Sequence, residues 1–236
     1  MLPAFRGAIV EKVGKQHDLF HNHCRMSNSS YGVLYRYPLI QYKCLHGKAA
    51  IICLEQGTKD IHHLLGQGDW DITMMKQPYT LEIDNLKMSP FELKKEDRWM
   101  HYRLYHWIAL NAENYEKYQA LDSMIERIQL LERVLTAHIL SFAAGVGWNI
   151  EEKFEVKIVD VAGYDWVTWK DVELMAFKLE FKTNLALPYN IGLGKAVSHG
   201  YGLLHPMRKK IRQNIKNDES GNNSKETDII EQILEK

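Results

Sequence analysis

The sequence predicts an α+β chain of two tandem ferredoxin-like units, each of βαββαβ order with an antiparallel sheet. Three observations carry that class: short aromatic and β-branched runs recur in both halves, one long apolar helical face interrupts them in the second half, and a charged stretch at 94–98 separates the halves. The expected division is an N-terminal domain over residues 1–97, a C-terminal domain over 98–206, and a basic then polar tail over 207–236. No sequence repeat links the halves, so the pairing of two like domains rests on element order alone.

In the first half, residues 5–13 mix apolar and charged side chains in the manner of a first strand, and 17–28 are polar and turn-like or weakly helical. Residues 37–44 and 48–54 are rich in aromatic and branched side chains, and Leu45, His46 and Gly47 between them predict a hairpin. A short helix is expected over 58–65, followed by strands at 80–83, 91–93 and 100–110.

The period changes at Asn111. Tyr115, Tyr118, Leu121, Ile125, Ile128, Leu135, Ile139 and Phe142 recur at steps of three, four or seven, which is one apolar face of a single long helix. Asn111 is placed to cap it and Gly145 to end it. Strand character returns at 154–161 and 172–181, with Gly163, Tyr164 and Asp165 read as the turn between them, and a short strand is expected at 201–204. Trp166 and Trp169 beside that turn are read as packing residues.

Composition narrows the functional classes. A chain of 236 residues with 45% hydrophobic content can bury a substantial core. Its formal net charge is zero, so affinity for a polyanion has to come from local basic surface. The three cysteines, Cys24, Cys44 and Cys53, are odd in number and fall in no Cys-x-x-Cys spacing, which argues against a disulfide framework or zinc knuckle and for a reducing cytoplasm. No stretch reaches the ~20 apolar residues of a membrane span. The expectation is a soluble cytoplasmic protein with no membrane partner.

The most concentrated signal is the run from Gly192 to Gly202, in which Gly192, Gly194, Gly200 and Gly202 accompany Lys195 and His199. Glycine permits positive φ and close approach, so backbone N–H groups can converge on an anion, with Lys195 and His199 as added donors. A Walker loop is excluded: Tyr189 stands where its first glycine belongs, and Ala196 follows the lysine where Ser or Thr would bind magnesium. The Rossmann spacing is also absent. The reading is a loop that seats a phosphate-bearing ligand, RNA first among them, against the alternative of an ordinary flexible hairpin.

This run resembles the CRISPR-associated endoribonucleases of the RAMP superfamily, which cut repeat RNA into guide units. Their pattern of apolar-Gly-x-Gly, five residues, Gly-x-Gly before the last strand of a second ferredoxin-like domain is met by Gly192, Gly194, Gly200 and Gly202. A second segment, His21-Asn22-His23 followed by Tyr35-Arg36-Tyr37-Pro38-Leu39-Ile40-Gln41-Tyr42-Lys43, is similar to the one that carries the catalytic histidine in one bacterial and archaeal branch. The matches and the element order cover roughly residues 5–204, whereas the polar tail and the neutral net charge depart from the pattern. The resemblance implies CRISPR repeat RNA as partner, no cofactor and no metal, and leaves other CRISPR effector subunits and a second copy of the chain as open partners.

The chemistry of RNA agrees with such a residue set. The 2′-hydroxyl beside each phosphate is a nucleophile already in place. Cleavage then needs a base for its proton, an acid for the departing 5′-oxygen and cations for the phosphorane, and histidine, ordinarily titrating near ~6.5, can serve as either. His21 and His23 are therefore the catalytic candidates, with Lys43 as a nearby cation and Arg36 beside it for RNA binding. The expected products are a 2′,3′-cyclic phosphate and a 5′-hydroxyl. In an extended segment His21 and His23 would share one face, and in a helix they would diverge by about 200°.

Other readings stay open on the same residues. His21, His23 and Cys24 as a zinc site lack a fourth ligand at recognised spacing. Tyr31, Tyr35, Tyr37 and Tyr42 are candidates for stacking on unpaired bases. Arg208, Lys209, Lys210, Arg212 and Lys216 form either a phosphate contact or a solvated tail. A non-catalytic RNA-binding subunit keeps the fold without the reaction, and a ferredoxin-like small-molecule sensor would show no salt-dependent RNA affinity.

Overall fold

The computed structural model describes residues 1–22 and 36–207. His23, Cys24, Tyr31, Tyr35 and the tail from 208 onward lie outside the described residues. The α+β class holds, with antiparallel sheets in two domains.

The chain begins with a helix and not with a strand. α1 (Leu2–Val13) buries Phe5, Ala8, Ile9 and Val13, spaced at helical intervals, and Pro3 sits in its first turn. That 5/8/9/13 spacing overrides the mixed composition that predicts a strand. A short α2 (Asp18–His21) follows, and then the expected hairpin of β1 (Ile40–Leu45) and β2 (Lys48–Cys53). His46 and Gly47 both take positive φ, as a two-residue type I′ turn requires. The single helix expected at 58–65 is two short ones, α3 (Gln56–Asp60) and α4 (His62–Leu65). A second hairpin, β3 (Asp71–Met74) with β4 (Gln77–Thr80), turns at Met75 and Lys76, again with positive φ at both.

These two hairpins form separate two-stranded sheets, so the first half does not build a single four-stranded sheet among the described residues. Its core joins α1, α2, β1, α4 and β3 through Phe5, Ile9, Phe20, Ile40, Tyr42, Leu64 and Ile72. Residues 91–93, expected as a strand, belong to no element.

The second half has the sheet order of a ferredoxin-like unit. β5 (Lys95–Ile108) begins inside the charged stretch, and β6 (Val156–Trp169), β7 (Val172–Leu185) and β8 (Leu203–Pro206) complete an antiparallel sheet of order β6-β7-β5-β8. Gly163, Tyr164 and Asp165 lie within β6, where Gly163 sits at a bulge with φ 140°, and the true turn is Lys170–Asp171 with positive φ at both positions. Trp166 on β6 is half exposed, contrary to a packing role.

Between β5 and β6 the long helix is interrupted. α5 (Ala112–Ala120) is capped as expected, the Asn111 side chain accepting from the Asn114 N–H at 2.7 Å. Leu121 and Ser123 are extended, and α6 (Met124–Gly145) starts afresh with Glu126 three residues after Ser123, the sequence signature of a helix start. The restart resets the helical phase. Ile125, expected on the buried face, is 68% exposed, while Leu130, Leu131, Val134, Leu135, Ile139 and Phe142 pack on the sheet. The unit's second helix is replaced by residues 186–202, which contain one 3₁₀ turn, Val197–His199, and the glycine run.

Candidate functional site

Alternation along β1 divides its side chains between two partners. Ile40 and Tyr42 enter the N-terminal core, where Phe5 meets Tyr42 edge-on at 6.0 Å and the Tyr42 hydroxyl donates to the Phe20 carbonyl at 3.1 Å. Gln41 and Lys43 point the other way, into the glycine loop of the C-terminal domain, and both are wholly buried. A strand covered on both faces explains why polar residues stand inside an apolar run.

The junction is fully hydrogen-bonded. The Gly192 N–H donates to Gln41 Oε1 at 2.9 Å, and the Tyr37 hydroxyl donates to the Gly192 carbonyl at 2.8 Å. Gln41 Nε2 donates to the Tyr37 hydroxyl at 2.8 Å and to the Pro38 carbonyl at 3.0 Å. Lys43 Nζ donates to the carbonyls of Val197 and Tyr201, both at 3.1 Å. Burial lowers the Lys43 pKa to about 7 and raises that of Tyr37 above its ordinary range. A wholly buried Lys43 with its protons on two carbonyls is a strut between the domains, in no position to meet a phosphate.

The glycines answer to packing. A Cβ on Gly192 would lie 2.5 Å from Val197 Cγ1 and 2.6 Å from Lys43 Nζ, and one on Gly194 would lie 2.7 Å from the Trp107 ring. Gly202, with φ 65°, passes so close to the Leu193 carbonyl that any Cβ collides with it. Three of the four glycine amides are also committed, Gly192 to Gln41 Oε1, Gly200 to Val197 and Gly202 to His106, as are those of Leu193, Lys195 and His199. A nest of N–H groups open to an anion is therefore not what these glycines build. The ionisable groups of the loop are side chains, Lys195 being exposed and His199 half-buried, with its Nδ1 3.0 Å from Ser198 Oγ and its ring 4.3 Å from that of Trp169.

His21 ends α2, on the Tyr42 side of β1, so the strand separates it from Lys43. Its Nε2 lies 2.9 Å from the Lys15 carbonyl, which can only accept, and 3.6 Å from Asp18 Oδ1. Arg6 Nη2 donates to the His21 carbonyl at 2.7 Å. Asn22 is left-handed at φ 54° and donates from Nδ2 to the Arg36 carbonyl at 3.0 Å, while Arg36 Nε donates back to Asn22 Oδ1 at 3.4 Å. The residues on either side of the undescribed stretch are thus bonded to each other. Arg6, Asn22, Tyr37 and Gln41 are the contributors that sequence reasoning missed or misassigned. Gln41 and Lys43, two apart in an otherwise apolar strand, were the available signal. Tyr37 and Tyr42 are buried and cannot stack on bases.

The fold is that of the Cas6 proteins. It superposes on the type IV Cas6 CRISPR RNA endonuclease Csf5 with a TM-score of 0.50 at 12% identity, covering 72% of this chain and 68% of that one. Residues 1–92 match the family model of the Cas6b N-terminal domain and residues 94–207 that of the Cas6b C-terminal domain, and the chain belongs to the Cas6b family. A crystal structure of Cas6b aligns with a TM-score of 0.75 and 27% identity, over 86% of this chain and 89% of that chain. A crystal structure of the CRISPR RNA processing endoribonuclease Cas6b aligns with a TM-score of 0.57 and 28% identity, over 73% and 83%. An uncharacterized protein of Methanocaldococcus jannaschii, MJ0978, is 34% identical over 96 residues, which is 41% of this chain and 64% of that protein's length. Among the described residues no helix is long and apolar enough to cross a membrane.

Proposed function

We propose that this chain is an endoribonuclease that cuts CRISPR repeat RNA at one phosphodiester. The observation that carries the reading is membership of the Cas6b family across both domains, with the His21-Asn22-His23 segment in the first. In the reaction the 2′-oxygen attacks the adjacent phosphorus, a new O2′–P bond forms and the P–O5′ bond breaks. One histidine of the pair takes the 2′-hydroxyl proton and the other gives a proton to the departing 5′-oxygen. The products are a 2′,3′-cyclic phosphate and a 5′-hydroxyl, and because the nucleophile belongs to the RNA, the step needs no metal ion.

Division of labour follows the two domains. The N-terminal domain carries His21 and His23 for chemistry, and the C-terminal domain carries RNA placement through Lys195 and His199. Arg36, clasped to Asn22 within the histidine segment, supplies a cation beside it. Lys43 and the four loop glycines act at one remove, by holding the two domains in a fixed relation.

The test is incubation of the purified chain with repeat RNA in EDTA. Cleavage is expected, with loss in the His21→Ala/His23→Ala double variant and with a 2′-deoxy nucleotide at the cut site. Cleavage of the deoxy substrate overturns the intrinsic-nucleophile mechanism. Binding without cleavage by the unaltered chain assigns it to RNA retention instead.

A further inference from the structure

A cavity of about 530 Å³ opens where the glycine loop passes the start of α5 and the middle of α6. α5 and its cap contribute Asn111, Asn114 and Lys117, three apart and so on one helical face; α6 contributes Arg133 and His138; the loop contributes Lys195. Among the described residues no carboxylate lines it, in a chain whose formal net charge is zero. Lys117 is partly neutralised by Glu113 at 2.6 Å, whereas Arg133 and Lys195 form no ion pair among the described residues.

His138 adds a donor without adding charge. Trp107 Nε1 donates to its Nδ1 at 3.2 Å, so the neutral ring carries its own proton on Nε2. Burial and then Lys195 lower its pKa to about 4, which keeps it neutral in this basic surrounding. On the adjoining flank of α5, Tyr115 packs on Trp166 with ring centres 6.5 Å apart, and Trp166 meets Tyr164 at 5.8 Å. Both β6 rings are about half exposed. Cations beside exposed aromatic rings are the pairing that takes an unpaired nucleic-acid strand, since the rings stack on bases that a duplex would hide.

We propose that this cavity extends the RNA placement given to Lys195 into a backbone site, in which Lys117, Arg133 and Lys195 hold one phosphate of a single-stranded stretch while Tyr164 and Trp166 stack on its bases. The inference rests on the endoribonuclease reading for its ligand. It adds to that reading a place, away from His21, where the substrate strand is held.

Cations and rings should fail differently. With repeat RNA bound to the His21→Ala/His23→Ala chain, adding Arg133→Ala and Lys195→Ala is expected to weaken binding about tenfold and to flatten the slope of log K against log salt by about 0.7, the share of one phosphate on a single strand. Arg133→Lys should restore most of its share. Tyr164→Ala with Trp166→Ala should also weaken binding about tenfold but leave the slope unchanged, because stacking releases no counterions. Affinity and slope unchanged in the Arg133/Lys195 variant overturn the site while leaving the endoribonuclease reading intact. If the unaltered chain neither binds nor cuts repeat RNA, that reading falls, and inorganic phosphate at constant ionic strength becomes the probe. A saturable shift of the His138 imidazole signals, lost in the Arg133/Lys195 variant, then assigns the cavity to a small anion and overturns the RNA assignment; no shift overturns the site altogether.

Discussion

The Tyr37 hydroxyl donates a 2.8 Å hydrogen bond to the Gly192 carbonyl, joining residues 155 positions apart in a buried setting. Tyr37→Phe removes the donor and also the acceptor that Gln41 Nε2 uses. Leaving buried groups unpaired costs about 1–3 kcal/mol. Urea denaturation is expected to show a lower midpoint with an unchanged slope, and an unaltered midpoint would mean that the bond contributes nothing net.

The glycines should divide by what surrounds them. Gly202→Ala meets the Leu193 carbonyl at a positive φ and is expected to cost about 3 kcal/mol or more, seen as loss of soluble folded protein or a sharply lower Tm. Gly7 lies inside α1 with open space where a Cβ would stand, so Gly7→Ala is expected to stabilise by roughly 0.5–1 kcal/mol. Equal effects at the two positions would contradict this assignment.

Lys43 makes stability depend on pH. Its folded pKa of about 7 lies below its ordinary value of 10.5, so between these limits the unfolded chain binds the proton that the folded chain has released. Stability should therefore rise as pH increases from 7 towards 10, with this contribution lost as pH falls back through that window. Comparing Tm across the window with that of Lys43→Met isolates the effect; parallel curves would assign the dependence elsewhere.

Arg6 is expected to position His21. Its guanidinium donates to the His21 carbonyl from α1, while its Nε is buried with no partner among the described residues. Arg6→Met should slow single-turnover cleavage about 10–100-fold with RNA affinity nearly unchanged, since a small displacement of a reacting group is costly. Affinity falling in step with rate would make Arg6 an RNA contact instead.

Legibility in the sequence followed the range of the interaction. The β1–β2 hairpin and the Asn111 cap depend on neighbours within a few residues, and both stand where local signals put them. α1 is also legible, in the 5/8/9/13 spacing, although its mixed apolar and charged composition points to a strand. The break at Leu121–Ser123 was harder, because Ile125 and Ile128 continue the apolar rhythm across it and only Ser123 with Glu126 marks the restart.

Taken alone, the sequence determined the α+β class, the pattern of glycines before the last strand and the histidine segment, because each is written in residue type and near spacing. Tertiary structure decided what those residues do. Three of the four glycines that suggest a phosphate cradle spend their amides on the protein itself, and Lys43, a candidate cation for catalysis, is a buried strut on the far face of β1 from His21. The distinction is physical: a residue's chemistry is carried by its own atoms, but whether its protons face a ligand or a carbonyl depends on which distant strand covers it.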